Sequence, residues 1–374
     1  MVGLQEIVKL NAMSIFGGKN QTKVAEWEQL IRSTIASIFS HGDPEEQFVW
    51  VVAKSMVGCL IGLLVKNRLF KRLKDLHATK IKTGLGGSSG NKGAVIVRFK
   101  LDDTTIALIN CHLMSGKNKG SKRTDEINFI FDNAFKNEPP GKRYNIEAHD
   151  LLFLFGDLNY RITLPNDVVR PSCKAKDWDL LKGHDELIQA MRQFGGADST
   201  ELQYQFYRTF TEGLINFAPT YKYDKRSQSY DTSKKQRVPA WCDRILWKHR
   251  GNEDAQIRQL SLRCVQQCIF SDHRPIVGNF EFYSQKVNAE KTSRMQEKYF
   301  ESMRFKSLHA QGRHSISQMK AQSQEEAKTP SFNPDVETTE PLRHAASLIP
   351  MIEEADDDEE EEEAKQATPE KQPS

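Results

Sequence analysis

The residues most able to do chemistry gather at the ends of apolar runs. Leu151-Leu152-Phe153-Leu154 leads into Phe155-Gly156-Asp157-Leu158-Asn159-Tyr160-Arg161. Pro239-Ala240-Trp241-Cys242-Asp243-Arg244 opens onto Ile245-Leu246, and Ser271-Asp272-His273-Arg274-Pro275 forms a third group. Together they offer carboxylates, an amide, an imidazole and guanidiniums. Metal-assisted cleavage of a phosphate ester requires those groups.

Asp157 and Asn159 stand two residues apart just past a strand-like run, a spacing that sends both side chains to one side. A carboxylate and an amide there can position a water and take its proton. The same spelling also closes strands as a plain Asx turn. His112 ends another apolar run, Asn110-Cys111-His112-Leu113, and a lone His in that place is usually structural. In Asp272-His273 a carboxylate beside an imidazole can raise its pKa and fix its tautomer. The resulting cation suits a pentacovalent phosphate. Glu6 is a natural ligand for Mg2+, which accepts few protein carboxylates and completes its shell with water and substrate phosphate.

Two further patterns compete. The run from Gly84 to Gly93 is rich in glycine but has Ser89 where a G-x-G-x-x-G motif needs its third glycine. It can still offer backbone N–H groups and Lys92 to a phosphate, or simply turn a hairpin. Cys268 to Arg274 spells C-x5-R, the pattern of cysteine phosphatases. Bulky Ile269 and Phe270 and the immediate Pro275 suit its phosphate-wrapping loop poorly.

The three motifs closely resemble the catalytic signatures of the inositol polyphosphate 5-phosphatases, above all those of the synaptojanin type. The resemblance runs from about Val2 to Phe282. It implies an α/β fold, the four-layer α/β sandwich shared with DNase I-like nucleases, and Mg2+-dependent removal of a 5-phosphate. The substrate would be a phosphoinositide headgroup, such as that of phosphatidylinositol 4,5-bisphosphate or 3,4,5-trisphosphate, or a soluble inositol polyphosphate. In that reading Glu6 holds Mg2+, Asp157 activates the attacking water, and Asn159 orients it. His112 and His273 neutralise the phosphoryl oxygens, Asp243 orients His273, and Arg161 and Arg244 support the pocket. The block around Tyr221, Lys222, Lys235 and Arg237 resembles the family segment that grips the neighbouring 4-phosphate, and Asn91 and Lys92 match positions near the 1-phosphate. The family's N-terminal Trp-Asn motif has no counterpart ahead of Met1-Val2-Gly3, so the fold is expected to be N-terminally incomplete, with an unpaired edge along the strand at Val2. A nuclease on the same scaffold and a catalytically compromised phosphoinositide-binding protein are the alternatives.

Several elements must position these groups. Val24, Trp27, Ile31, Ile35 and Ile38 recur at helical spacing and predict an amphipathic helix over 23–39. The apolar stretch 48–65 is interrupted by Lys54, Ser55, Gly58 and Gly62, which predicts two strands and a turn rather than a membrane span. Strands are expected at 95–101, 106–111, 151–155, 245–247 and 277–282, with helices near 125–135 and 185–192. The 374 residues carry a net charge of +3, but ten of the 50 acidic residues crowd into 353–363. The remainder is therefore markedly basic and suits an anionic partner such as a phosphate, an anionic membrane face or a nucleic acid; on the phosphatase resemblance no nucleic acid is expected. The six cysteines form no C-x-x-C pair, which disfavours structural zinc. Several sit inside apolar runs as buried free thiols do, which favours a reducing compartment; a cytoplasmic protein peripheral to membranes is expected. Residues 1–284 are expected to form the catalytic domain. Residues 285–374 have the composition of a polar, mostly disordered tail.

Overall fold

The computed structural model describes residues 1–8, 20–39, 41–84, 86–87, 89–139, 143–196, 201–250, 257–288, 290–304 and 306. The acidic run 353–363 and most of the expected tail lie outside the described residues.

Two sheets face each other. The larger is six-stranded. It contains β4 (Leu73–Gly84), β5 (Ser89–Leu101), β6 (Thr104–His112), β7 (Leu151–Asp157), β9 (Asp243–His249) and β8 (Thr211–Glu212), neighbours in that order. All its pairings are antiparallel except β6 with β7. The smaller sheet has the order β1 (Val2–Leu4), β3 (Cys59–Lys66), β2 (Phe48–Met56), which makes β1 an edge strand among the described residues. β10 (Arg258–Cys264) and β11 (Ile276–Glu281) form a separate antiparallel pair.

The central strands are apolar on both faces, as expected of strands covered from both sides. Val95, Val97, Ile106, Leu108, Leu151 and Phe153 turn toward Met56, Cys59, Ile61 and Leu63 of the smaller sheet. Ala94, Ile96, Ala107, Ile109, Leu152 and Leu154 turn toward Ile127 and Ile130 of α3 (Gly120–Asn133), Leu187 of α6 (Glu186–Phe194) and Phe206 of α7 (Gln205–Thr209). On the outer side of the smaller sheet, α1 (Asn20–Phe39) sets Phe39 against Phe48 at 4.9 Å and Arg32 over Trp50. Helix, sheet, sheet and helices make the four layers. A third cluster packs Val169 of α4 (Asn166–Ala175) and Leu181 of α5 (Trp178–Gly183) against Ile162, Ile215 and Trp241. The short helix α2 (Asn67–Phe70) follows β3 directly.

The helix expected over 23–39 starts three residues earlier, and its apolar stripe is only half covered. Ile38 is 63% exposed. The strands β4 and β10 escaped sequence reading because each reads as mixed polar: Leu-Lys-Asp-Leu-His-Ala-Thr-Lys in one, Arg-Gln-Leu-Ser-Leu-Arg in the other. Gly84 pairs with Ser89, so β4 and β5 form an antiparallel hairpin. The compact unit extends to Ser293, with 284–287 pinned to the β5–β6 turn through Asp102, Asp103 and Thr104. A helix covers 290–304.

Candidate active site at the end of the large sheet

Strand register assembles the site. His112 stands opposite Asp157 across the parallel β6–β7 pair, and Asp157 stands opposite Asp243 across β7–β9. An imidazole and two carboxylates from remote parts of the chain thus share one end of the sheet. Gly156 makes this packing achievable. Its φ is +123°, and a Cβ there would sit 2.2 Å from the carbonyl oxygen of Cys111. Any side chain would force β7 away from β6 and separate Asp157 from His112.

Three groups converge on one nitrogen. His112 Nε2 lies 3.3 Å from Asp157 Oδ2, 2.7 Å from Lys92 Nζ and 3.9 Å from a carboxylate oxygen of Glu6. Burial disfavours the charge on Asp157, but hydrogen bonding from His112 and the fields of His273, His112 and Lys92 outweigh it. The carboxyl is held well below its ordinary range. Lys92, expected from resemblance beside a remote phosphate, instead sits against His112. Its neighbour Asn91 accepts from Ser89 Oγ at 2.6 Å inside the β4–β5 turn.

His273 meets this cluster from the β10–β11 side. Its Nδ1 donates to Asp243 Oδ2 at 2.9 Å, and Thr220 Oγ1 donates to the same oxygen at 2.6 Å. That leaves Nε2 to face the site. Burial alone would lower the imidazole pKa. The Asp243 charge and hydrogen bond, with Asp157 and Asp272 behind them, raise it to about 9. Of the two carboxylates expected to act on His273, it is Asp243, across 30 residues, and not adjacent Asp272 that bonds the ring. Asp272 pairs instead with Lys222 at 3.1 Å and Lys225 at 3.9 Å.

Asn159 takes the Asx-turn reading, and its amide is committed to protein partners. Its backbone N–H donates to Asp157 Oδ1 at 3.0 Å, the Asx turn, while its side chain donates to the Leu113 carbonyl and accepts from Arg161 Nη2 at 2.5 Å. Its φ of +57° departs from the extended spacing assumed from sequence. The Arg161 guanidinium lies 4.4 Å over the Tyr221 ring, which is 4.8 Å from the His273 ring. Ser115, Gly116, Lys117, Arg161, Ile162, Tyr221, Arg237 and Val238 enclose an adjoining cavity of about 170 Å3. Lys235 lies exposed on the same loop as Arg237.

Arg244 is a second correction. Its guanidinium is fully buried, bonded to Asp185 at 2.9 Å and paired with Glu212, so it cannot reach a substrate. On β9 it follows Asp243 directly, and alternation sends it to the opposite face. The C-x5-R alternative also fails. Arg274 is buried, donating to the carbonyls of Ser271 and Ser227 over the Tyr223 ring, and strand β11 rather than a helix follows it.

The donor chemistry can be tested against a hard divalent cation. Asp157, Asp243 and His273 offer ligand atoms all within 4.8 Å of one another. Yet a protonated His273 committed to Asp243 donates hydrogen and cannot ligate, so this trio makes a poor cation cage. Glu6 fits better: its carboxylate is 62% exposed at the end of β1 and borders the same cluster. A carboxylate with open water positions is what magnesium accepts.

Residues 1–279 match the model of endonuclease/exonuclease/phosphatase family 2. A probable inositol polyphosphate 5-phosphatase of Schizosaccharomyces pombe is 34% identical over 312 residues, covering 77% of this chain and 25% of its own. A type IV inositol polyphosphate 5-phosphatase of Arabidopsis thaliana is 31% identical, with 75% of this chain and 69% of the relative covered. The crystal structure of a synaptojanin inositol polyphosphate 5-phosphatase domain, in complex with inositol (1,4)-bisphosphate and calcium ion, superposes with a TM-score of 0.67 at 30% identity, covering 83% of this chain and 82% of that one. The chain spans about a quarter of the length of the first curated relatives it matches.

Proposed function

The chain belongs to the inositol polyphosphate 5-phosphatases of the endonuclease/exonuclease/phosphatase family, and from that premise we propose that it hydrolyses the 5-phosphate of phosphoinositide headgroups or soluble inositol polyphosphates with Mg2+. The observation that carries the reading is the pairing of opposite charges at one strand end. A carboxylate held ionised, Asp157, faces an imidazole held protonated, His273, across a gap lined by His112 and Lys92.

In this mechanism Asp157 accepts a hydrogen bond from the attacking water and takes its proton as the new P–O bond forms, while the bond from phosphorus to the ring 5-oxygen breaks and that oxygen leaves as a hydroxyl with a proton from solvent. Its low pKa makes it a weak base, so proton transfer comes late. Asn159 holds the Asp157 turn. His273, cationic and fixed by Asp243, donates to a phosphoryl oxygen where negative charge develops. His112 and Lys92 contact the same phosphate. Glu6 would hold the metal, which when bound withdraws charge from the phosphoryl oxygens. Tyr221, Lys222, Lys235 and Arg237 bind a ring phosphate beside the reacting one, and Asn91 lies toward a more distant one. Residues 1–284 act as the catalytic domain and 285–374 as a polar tail.

In this reading the protein works in the cytoplasm, and its basic body supports peripheral contact with anionic membranes. No helix among the described residues is long and apolar enough to cross one. The kinship with inositol polyphosphate 5-phosphatases favours phosphatase over nuclease chemistry.

Phosphate release from phosphatidylinositol 4,5-bisphosphate should vanish in chelator, return with Mg2+, and survive Cys268→Ser. Loss of activity in that mutant together with indifference to chelator would overturn the reading.

A further inference from the structure

The cavity beside the catalytic cluster has a cation that no motif supplies. Lys117 lies in the loop between β6 and α3, outside every signature that points to function. It lines the same 170 Å3 space as Arg161, Tyr221 and Arg237. Three cationic side chains and no carboxylate border that space. Its size and charge suit a phosphate group. Tyr221 links it to the catalytic end, with its ring 4.8 Å from that of His273. By contrast, the ammonium of Lys222 is already paired with Asp272 at 3.1 Å.

The platform carrying Lys117 is fixed from below. Arg123 of α3 is fully buried. Its Nε donates to the Met114 carbonyl at 2.9 Å, its Nη2 to the Gly116 carbonyl, and its Nη1 to Glu186 at 2.6 Å. Glu126 accepts from the Met114 N–H at 2.7 Å. The same Glu186 carboxylate oxygen accepts from the Arg161 backbone N–H at 2.9 Å. One buried ion pair therefore braces both walls of the cavity, the Gly116 side and the Arg161 side. Gly116 at φ +108° and Asn118 at +56° turn the chain sharply on either side of Lys117. The loop reaches the cavity already shaped, which reduces the ordering cost of binding.

We propose that Lys117 is a specificity-determining residue, an additional cation in the pocket for the ring phosphate next to the reacting one. This rests on the phosphatase reading and adds to it a wall built from the β6–α3 loop. The ammonium would pair with that phosphate as an exposed point charge, without the bidentate geometry of Arg237.

The test uses the full chain with Lys117→Ala, Lys117→Gln and Lys117→Arg. The residue is exposed, so folding should be unaffected. Calorimetric binding of inositol 1,4-bisphosphate should weaken about tenfold in the Ala and Gln variants and recover with Arg, while binding of inositol 1-phosphate should change less than twofold. The ratio of kcat/KM for a 4,5-bisphosphate over a 5-monophosphate should fall in parallel. Equal losses for both ligands, or no loss, would overturn the proposal, as would a wild type that binds the two ligands equally. If the wild type binds the bisphosphate selectively but releases no phosphate, the catalytic reading fails while binding still decides the role of Lys117.

Discussion

His273 carries two separable properties, its charge and its orientation, and both trace to Asp243. Because the imidazole pKa is raised to about 9, the ring is cationic at neutral pH and loses its charge as pH climbs through that value. Activity should therefore hold through neutral pH and fall on the alkaline side near pH 9. Asp243→Asn removes the largest influence raising that pKa. The alkaline limb of the kcat/KM profile should then move down toward the ordinary histidine value of about 6.5. An unmoved limb would show that another group sets it. Asp157→Asn should cost roughly 10²–10⁴-fold in kcat, the range for a lost proton acceptor, with binding of inositol 1,4-bisphosphate retained. Near-normal turnover would reduce Asp157 to its Asx turn. These side chains were legible in the sequence because each ends an apolar run. Lys117, Thr220 and Arg123 were not, since a loop lysine, a loop threonine and a helical arginine are indistinguishable in sequence from solvated surface.

Strands and helices deliver these groups by register, and register is what local sequence carries least. The runs 95–101, 106–111 and 151–155 were readable because both faces are buried and the side chains are uniformly apolar. That β6 and β7 pair in parallel, so that His112 meets Asp157, depends on partners dozens of residues away. Arg244 shows the cost of reading a motif without its strand. It belongs to the Trp-Cys-Asp-Arg signature but points to the helical side, where it joins β9 to β8 and to the start of α6 through Glu212 and Asp185. Burial raises the Glu212 pKa, and the Arg244 charge only partly offsets this. Arg244→Met would strand two carboxylates in the interior and should lower unfolding stability by about 3–5 kcal/mol, as removal of one partner of a buried pair does. Urea unfolding measures the loss. At temperatures where the variant remains folded, KM should stay near wild type. A large KM change with unchanged stability would return Arg244 to the substrate.

At the scale of the whole molecule, the four layers bring together two sources of positive charge beside the catalytic cluster: the 221–237 loop and the loop carrying Lys117. Fields from charges on one face add, and they steer anions toward it. The target matters, however. A soluble inositol polyphosphate presents a few phosphates that bind within the pocket, where close contacts are little screened. An anionic bilayer presents many charges to exposed side chains such as Lys225, 70% exposed, and Lys235. Those longer-range contacts weaken once the Debye length falls to about 8 Å at physiological ionic strength. If the basic face also docks on membranes, kcat/KM on vesicles doped with phosphatidylserine should fall severalfold between about 0.05 and 0.2 M salt. Turnover of soluble inositol 1,4,5-trisphosphate should fall much less. Lys225→Ala with Lys235→Ala should flatten the vesicle curve more than the soluble one. Parallel curves for the two substrates would place all of the useful charge inside the pocket, and membrane contact would then depend on something other than this face.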